Sequence, residues 1–159
     1  MKLDRTDFDI LAVLQENARL SNKELAEANG ISPSTCLERV RRLRAVGAIS
    51  GVHADVLPAA LGIGVQALIS IRLRQHAQID FEALLEEMKT KREVVSVYLL
   101  AGAQDLLVHV AVRDVVHLRF VVVDSFTSRD DVEHIETSLI FDFVRSATWP
   151  NYRLDQTET

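Results

Sequence analysis

Cysteine is almost missing from this chain. Its 159 residues include one, Cys36, so no internal disulfide framework is possible, and the composition suits a reducing cytosol. Long apolar runs are missing too: no stretch approaches the roughly 18 consecutive apolar residues of a membrane span. The opening MKLDRTDFDI carries acids where a signal peptide would carry an apolar segment, so a cytoplasmic protein without membrane contact is expected. The histidines (His53, His76, His109, His117 and His134) lack the paired spacing of a zinc site. His134 and Glu136 share a strand face, but two groups do not make a metal centre. Gly62-Ile63-Gly64 lacks the rest of a phosphate loop and the following lysine-bearing helix. The serines, histidines and acids form no recognisable catalytic grouping. No catalytic residue, metal or cofactor is therefore expected. A hydrophobic content of 48% still provides for real cores.

The most informative stretch is residues 21–47, SNKELAEANGISPSTCLERVRRLRAVG. Ser21 followed by Glu24 is a capping-box pattern, with Asn22 opening the helix and Leu25 and Ala26 on its apolar side. Asn29-Gly30 stops that helix. Ser32-Pro33 starts another, because serine caps and proline at the first position loses no hydrogen bond. Helix, glycine turn and capped helix make a helix-turn-helix, whose second helix lies in the DNA major groove. At 100° per residue, Cys36, Leu37, Val40 and Leu43 gather on a core-facing side of the second helix. Ser34, Thr35, Glu38, Arg41 and Arg42 gather opposite, with Arg39 at the margin; Arg44 falls near the apolar side. The alternative is an amphipathic helix whose solvated face happens to be basic.

Charge is distributed unevenly. Residues 1–50 hold eight Lys/Arg against seven Asp/Glu, and residues 51–159 hold ten against sixteen. Within 32–50 four arginines face a single glutamate. The overall net charge of −5 therefore does not argue against nucleic acid, because phosphate responds to the local face. Residues 4–18 supply a preceding helix, capped by Asp4, with a stripe of Phe8, Leu11, Ala12 and Gln15 flanked by Ile10 and Leu14. Residues 48–56 are a candidate strand or wing, and residues 57–62 a hinge.

The second half changes rhythm. Residues 63–75 alternate, with Ile69, Ile71 and Leu73 against Ser70, Arg72 and Arg74. Residues 80–92 have helical spacing through Phe81, Leu84, Leu85 and Met88. Residues 94–101 and 106–112 read as strands joined by a hairpin-length loop. Residues 115–126 are again helical, and residues 132–144 a final strand. The order β-α-β-β-α-β predicts a ferredoxin-like sheet with two helices on one face. One face of the third segment's strand carries Leu106, Val108, Val110 and Val112, and the other Leu107 and Ala111. An uncovered apolar sheet face implies a partner, so a homodimer with packed sheets is expected. Two-fold symmetry would set two recognition helices about 34–36 Å apart on pseudo-palindromic DNA.

LDRTDFDIL, SPSTCLERVRRL and LAGAQDLLV, in that order and separation, resemble the Lrp/AsnC family of bacterial and archaeal transcription regulators. The resemblance runs from Leu3 to about Val144. It implies an α+β chain: a winged-helix-like helix-turn-helix domain in residues 1–50, a linker or strand in 51–62, a ferredoxin-like domain for effector binding and oligomerisation in 63–145, and a tail in 146–159. It implies a sequence-specific regulator on double-stranded promoter DNA, dimers assembled to octamers, and a small effector, commonly an amino acid. On this likeness Ser32, Ser34, Thr35, Arg39, Arg41 and Arg42 match the DNA-reading helix, and Ser21 and Asn22 match positions that touch phosphate. The effector positions are matched by Leu100, Ala101, Gly102, Ala103, Gln104, Asp105 and Leu106, with Ile135 and Thr137 on the last strand. Many relatives carry a polar or acidic residue where this chain has Ala103, leaving Asp105 as the loop's only carboxylate.

Two other readings share the same elements. The fold also resembles siroheme decarboxylase subunits, in which histidine and arginine serve a tetrapyrrole; the basic recognition helix argues against this. An architectural protein would bind DNA with little sequence preference, without the roughly 10³-fold discrimination of specific binders. Residues 149–152, Trp-Pro-Asn-Tyr, suit docking on the body or on a neighbour, and residues 156–159 are expected to fray.

Overall fold

The computed structural model describes residues 3–74, 81–127, 129–146 and 148–153. Expectations that fall on His76 and on residues 154–159 lie outside these. The chain divides into two compact units, Met1–Asp55 with Val144–Thr159, and Val56–Phe143.

The first unit holds α1 (Arg5–Glu16), α2 (Asn22–Ala28) and α3 (Pro33–Ala45). The start signals act as their chemistry dictates. Asp4 and Asp7 form a reciprocal capping box on α1, Ser21 and Glu24 do the same on α2, and the Ser32 hydroxyl accepts from the Thr35 amide ahead of Pro33. Gly30, at φ +63°, ends α2 in the left-handed region that a side chain would resist. The core gathers Ile10, Leu25, Ala26, Cys36, Val40 and Leu43. Two expectations are corrected. Leu37 is 41% exposed, because the buried side of α3 follows Cys36, Val40 and Leu43 at helical spacing and leaves Leu37 on its rim. On α1 the buried side runs through Asp7 and Ile10, leaving Ala12 and Gln15 exposed. The acid in the middle of the true stripe hid it from an apolar pattern.

Residues 48–57 form no strand or wing; a short 3-10 turn, Pro58–Leu61, precedes the second unit. There β1 (Val65–Leu73), α4 (Phe81–Thr90), β2 (Val94–Leu99), β3 (Leu106–Val112), α5 (Val115–Val122) and β4 (Val132–Leu139) follow in the predicted order. A π-helical turn, Val123–Thr127, extends α5. The sheet order is β2-β3-β1-β4, all neighbours antiparallel, which is the ferredoxin-like arrangement. The last strand stops at Leu139 instead of continuing to 144, where residues 140–146 have no regular structure.

The core lies on one sheet face. Ala67, Ile69 and Ile71 of β1 and Leu106, Val108, Val110 and Val112 of β3 pack with Leu84, Met88, Leu118, Val121 and Phe126. Period-two alternation puts Leu68, Leu107 and Ala111 on the other face, only half-buried, beside a His109 Nε2 to Gln66 Oε1 hydrogen bond of 3.0 Å. Arg129 clamps the bottom of the unit: its Nη1 donates to both oxygens of Glu87 on α4 and its Nη2 to Asp131 before β4, at 2.8–2.9 Å.

Candidate DNA and effector sites

α3 is about 20 Å long at 1.5 Å per residue, and one side of it is open. Ser34, Thr35, Glu38, Arg41, Arg42 and Arg44 are exposed, while Cys36, Val40 and Leu43 hold the opposite side in the core. The cap at its N-terminus is a small hydroxyl cluster. Ser32 Oγ lies 2.9 Å from Ser34 Oγ and 2.8 Å from Thr35 Oγ1. Asn22 Nδ2 donates to the Pro33 carbonyl at 2.7 Å, so the starts of α2 and α3 are fastened together. Ser21 remains exposed at the cap of α2, with Glu24 held below the usual carboxylate range by its hydrogen bond to Ser21.

The arginines are not equivalent, and the helical wheel, which set Arg39 at the margin and Arg44 near the apolar side, did not separate Arg41 from Arg42. Arg39 Nη1 donates to both oxygens of Asp4, at 2.8 and 2.7 Å, and to Asp7 Oδ1 at 2.9 Å. Arg42 Nη2 takes the other oxygen of Asp7. The Asp7 side chain is fully buried, whereas those of Arg39 and Arg42 are 25% and 50% exposed. Hydrogen bonding from Arg39 holds the Asp4 carboxyl below its ordinary range, and the same pairing raises Arg39. Stripping a buried charge of its partner costs about 3–5 kcal/mol; half-exposed Arg42 puts this cluster nearer the lower end. The side chains of Arg41 and Arg44 have no ion pair or hydrogen bond among the described residues. Asp7 is the residue that sequence reasoning missed. Its signal was present: Leu3, Asp7, Ile10 and Leu14 fall at helical spacing, an apolar stripe interrupted by one acid.

The second site gathers at one end of the sheet. Leu106, Ile71 and Ile135 stand side by side across three strands, so Leu106 and Ile135 are about 10 Å apart. Thr137 pairs with Ile69, one step further along the same face. Leu106 is buried in the core and Ile135 half-buried, and both belong to the helix-covered side. Leu100, Ala101, Gly102 and Ala103 are exposed; Gln104 and Asp105 are half-buried. Asp105 prolongs the β3–β1 ladder. Its amide donates to the Ile71 carbonyl at 2.9 Å, and its Oδ2 accepts from the Leu73 amide at 2.7 Å. Leu100 N donates back to the Asp105 carbonyl at 2.8 Å and closes the loop. One Asp105 oxygen is therefore committed to the fold. Gln104 Oε1 is buried and has no hydrogen-bond partner among the described residues, leaving an unused acceptor in this loop.

A three-helix unit with an exposed, capped recognition helix, and a separate sheet unit with a polar loop, define a DNA-binding regulator that carries a ligand-binding domain. The AsnC-type helix-turn-helix domain matches residues 3–44, and the Lrp/AsnC ligand binding domain matches residues 66–150. The chain belongs to the Lrp/AsnC family of transcriptional regulators. It is 44% identical over 146 residues to the transcriptional regulator AldR of Mycolicibacterium smegmatis, covering 92% of this chain and 85% of that one. Among solved structures, a transcriptional regulator of Neisseria meningitidis in complex with L-Met superposes with TM-score 0.86 at 32% identity, covering 96% of this chain and 99% of the other. AldR of Mycobacterium tuberculosis gives TM-score 0.79 at 39% identity, with 92% and 97% covered. The chain is accordingly a regulator and not an enzyme of the siroheme decarboxylase type. Among the described residues, no helix is long and apolar enough to cross a membrane.

Proposed function

We propose that this protein binds double-stranded promoter DNA sequence-specifically through the open side of α3, and that an amino acid bound at the loop of residues 100–106 modulates that binding. The observation that carries the reading is the row of exposed Ser34, Thr35 and Arg41 on a helix whose other side is locked in the core. First-turn residues of a recognition helix reach base edges, and arginine reads guanine O6 and N7. Ser21 and Asn22, at the start of α2, are placed to approach phosphate. Ser32 contributes as the cap, and Arg39 and Arg42 border the same face while paired to Asp4 and Asp7.

An amino acid suits the loop chemically. Its ammonium matches the Asp105 oxygen and the Gln104 acceptor that have no partner among the described residues, and the exposed Gly102 and Ala103 offer backbone amides to a carboxylate. Leu100, Ala101, Leu106, Ile135 and Thr137 would frame its side chain. The L-Met complex of the Neisseria relative supports this class of effector, without naming the one used here. The half-buried Leu68, Leu107 and Ala111 support a homodimer through the open sheet face, with two recognition helices on a pseudo-palindromic site, assembling to octamers. The regulator acts in the cytoplasm.

The test is a fluorescence-anisotropy titration on DNA from upstream of the protein's own gene against scrambled DNA, with and without pooled amino acids. A preference of about 10³-fold or more that shifts with the pool is expected. Equal affinity for both DNAs, unmoved by the pool, would favour the architectural reading.

A further inference from the structure

The sequence places Arg41 and Arg42 together on the open side of α3, with Arg39 at its margin, and Asp7 divides them differently. Its carboxylate is fully buried, and its two oxygens are taken by different residues of the recognition helix, Arg39 and Arg42. Arg39 is held a second time by both oxygens of Asp4. These contacts span 32 to 35 residues and join the first turn of α1 to the middle of α3. Arg41, between them in sequence, points the other way into solvent and has no partner among the described residues.

We propose that Asp7 is a positioning residue for DNA recognition: with Asp4 it withholds Arg39 from phosphate and fixes Arg42 against α1, so that Arg41 is the arginine in mid-helix that meets DNA. The physical reason is an asymmetry of environments. A guanidinium that left Asp7 for a phosphate would exchange a partner in a low-dielectric interior for one in contact with water. It would also strand a buried carboxylate. Arg41 makes no such exchange. The device limits the sequence-independent attraction of α3 for phosphate, which favours discrimination between DNA sequences over bulk affinity.

The inference rests on α3 meeting DNA, and the test separates the two. Affinity for specific and random DNA is measured between 50 and 200 mM salt, where each phosphate contact contributes about 3.5-fold of the loss. Arg41→Ala should remove one such factor, and Arg39→Ala should leave the salt dependence unchanged. Loss of a factor with Arg39→Ala would put Arg39 on phosphate and overturn the inference while leaving the α3 face intact. If Arg41→Ala changes neither affinity nor salt dependence, Arg41 does not meet DNA and the inference falls, whereas Ser34 and Thr35 variants that still weaken specific binding would keep α3 on the DNA.

Arg39→Ala leaves Asp7 half-paired and risks unfolding, so a second arm keeps the arginines. The double variant Asp4→Asn/Asp7→Asn preserves both side-chain caps, since asparagine caps as well as aspartate. It should raise affinity for random DNA and steepen its salt dependence by up to two contacts, about tenfold across this range. Glu16→Gln/Glu27→Gln, at exposed positions of the same unit, makes the same charge change and should not steepen it. Identical behaviour of the two double variants would overturn the proposal.

Discussion

Asp105 is asked to do two things at the residue scale, and they can be pulled apart. One oxygen accepts from the Leu73 amide, so Asp105→Ala leaves that donor unpaired and should cost about 1–3 kcal/mol of stability in chemical denaturation. Asp105→Asn keeps an acceptor while removing the charge. It should leave stability within about 1 kcal/mol of wild type and abolish the amino-acid response in DNA titrations. A retained response in the asparagine variant would move the effector elsewhere. Sequence reading reached this loop through two flanking strands and the resemblance of LAGAQDLLV to the family. It did not find the commitment of Asp105 to Leu73, which depends on a strand 32 residues away. The pairing of Arg39 and Arg42 with Asp7 was missed for the same kind of reason: a helical wheel shows which way a side chain leaves its own helix, not what waits there on α1.

Elements with local signals were legible; those set by distant packing were not. All three helix starts in the first unit were readable because a cap is a contact between residues three apart. Ser32→Ala should therefore destabilise by about 1 kcal/mol and Ser32→Gly by only a few tenths, measured as shifts in urea midpoint. Equal costs would mean that the Ser32 hydroxyl does more than cap. The stripe on α1 was misplaced because its central member is an acid neutralised from α3. The proposed strand at 48–56 failed because alternating residues supply no ladder partner, and β4 ended early at Leu139 although apolar residues continue beyond it. In the second unit the Arg129 clamp ties α4 to β4 and has a pH signature. Hydrogen bonding from Arg129 holds Asp131 below its ordinary 3.8. A depressed carboxylate contributes stability that is full above the unfolded value and lost as pH falls through the folded one. Thermal melts should thus show wild type losing its advantage over Asp131→Asn as pH falls from about 4 downward. A constant difference from pH 6 to 2 would remove the clamp from the acid response.

The whole molecule is a pair of units whose surfaces still ask for partners. The sheet's open face was legible from alternation alone, since Leu107 and Ala111 sit between residues of the buried row. Docking of the tail was expected without its place: the Trp149 amide donates to Gln15 Oε1 at 2.7 Å, a contact across 134 residues, while the residue stays 80% exposed. If the open face joins two copies, Leu107→Glu should convert the dimer to monomer in analytical ultracentrifugation. It should also weaken binding to a pseudo-palindromic site far more than to a half-site. An unchanged sedimentation coefficient would place the interface elsewhere.

Coupling between the two sites is the central claim, and linkage gives its most direct measurement. The affinity of whichever amino acid shifts DNA binding is determined by calorimetry twice, once for the free protein and once for the protein saturated with promoter DNA. The account predicts that DNA changes amino-acid affinity by the same factor, in the same direction, by which the amino acid changes DNA affinity. An amino acid that binds equally well with and without DNA would contradict it.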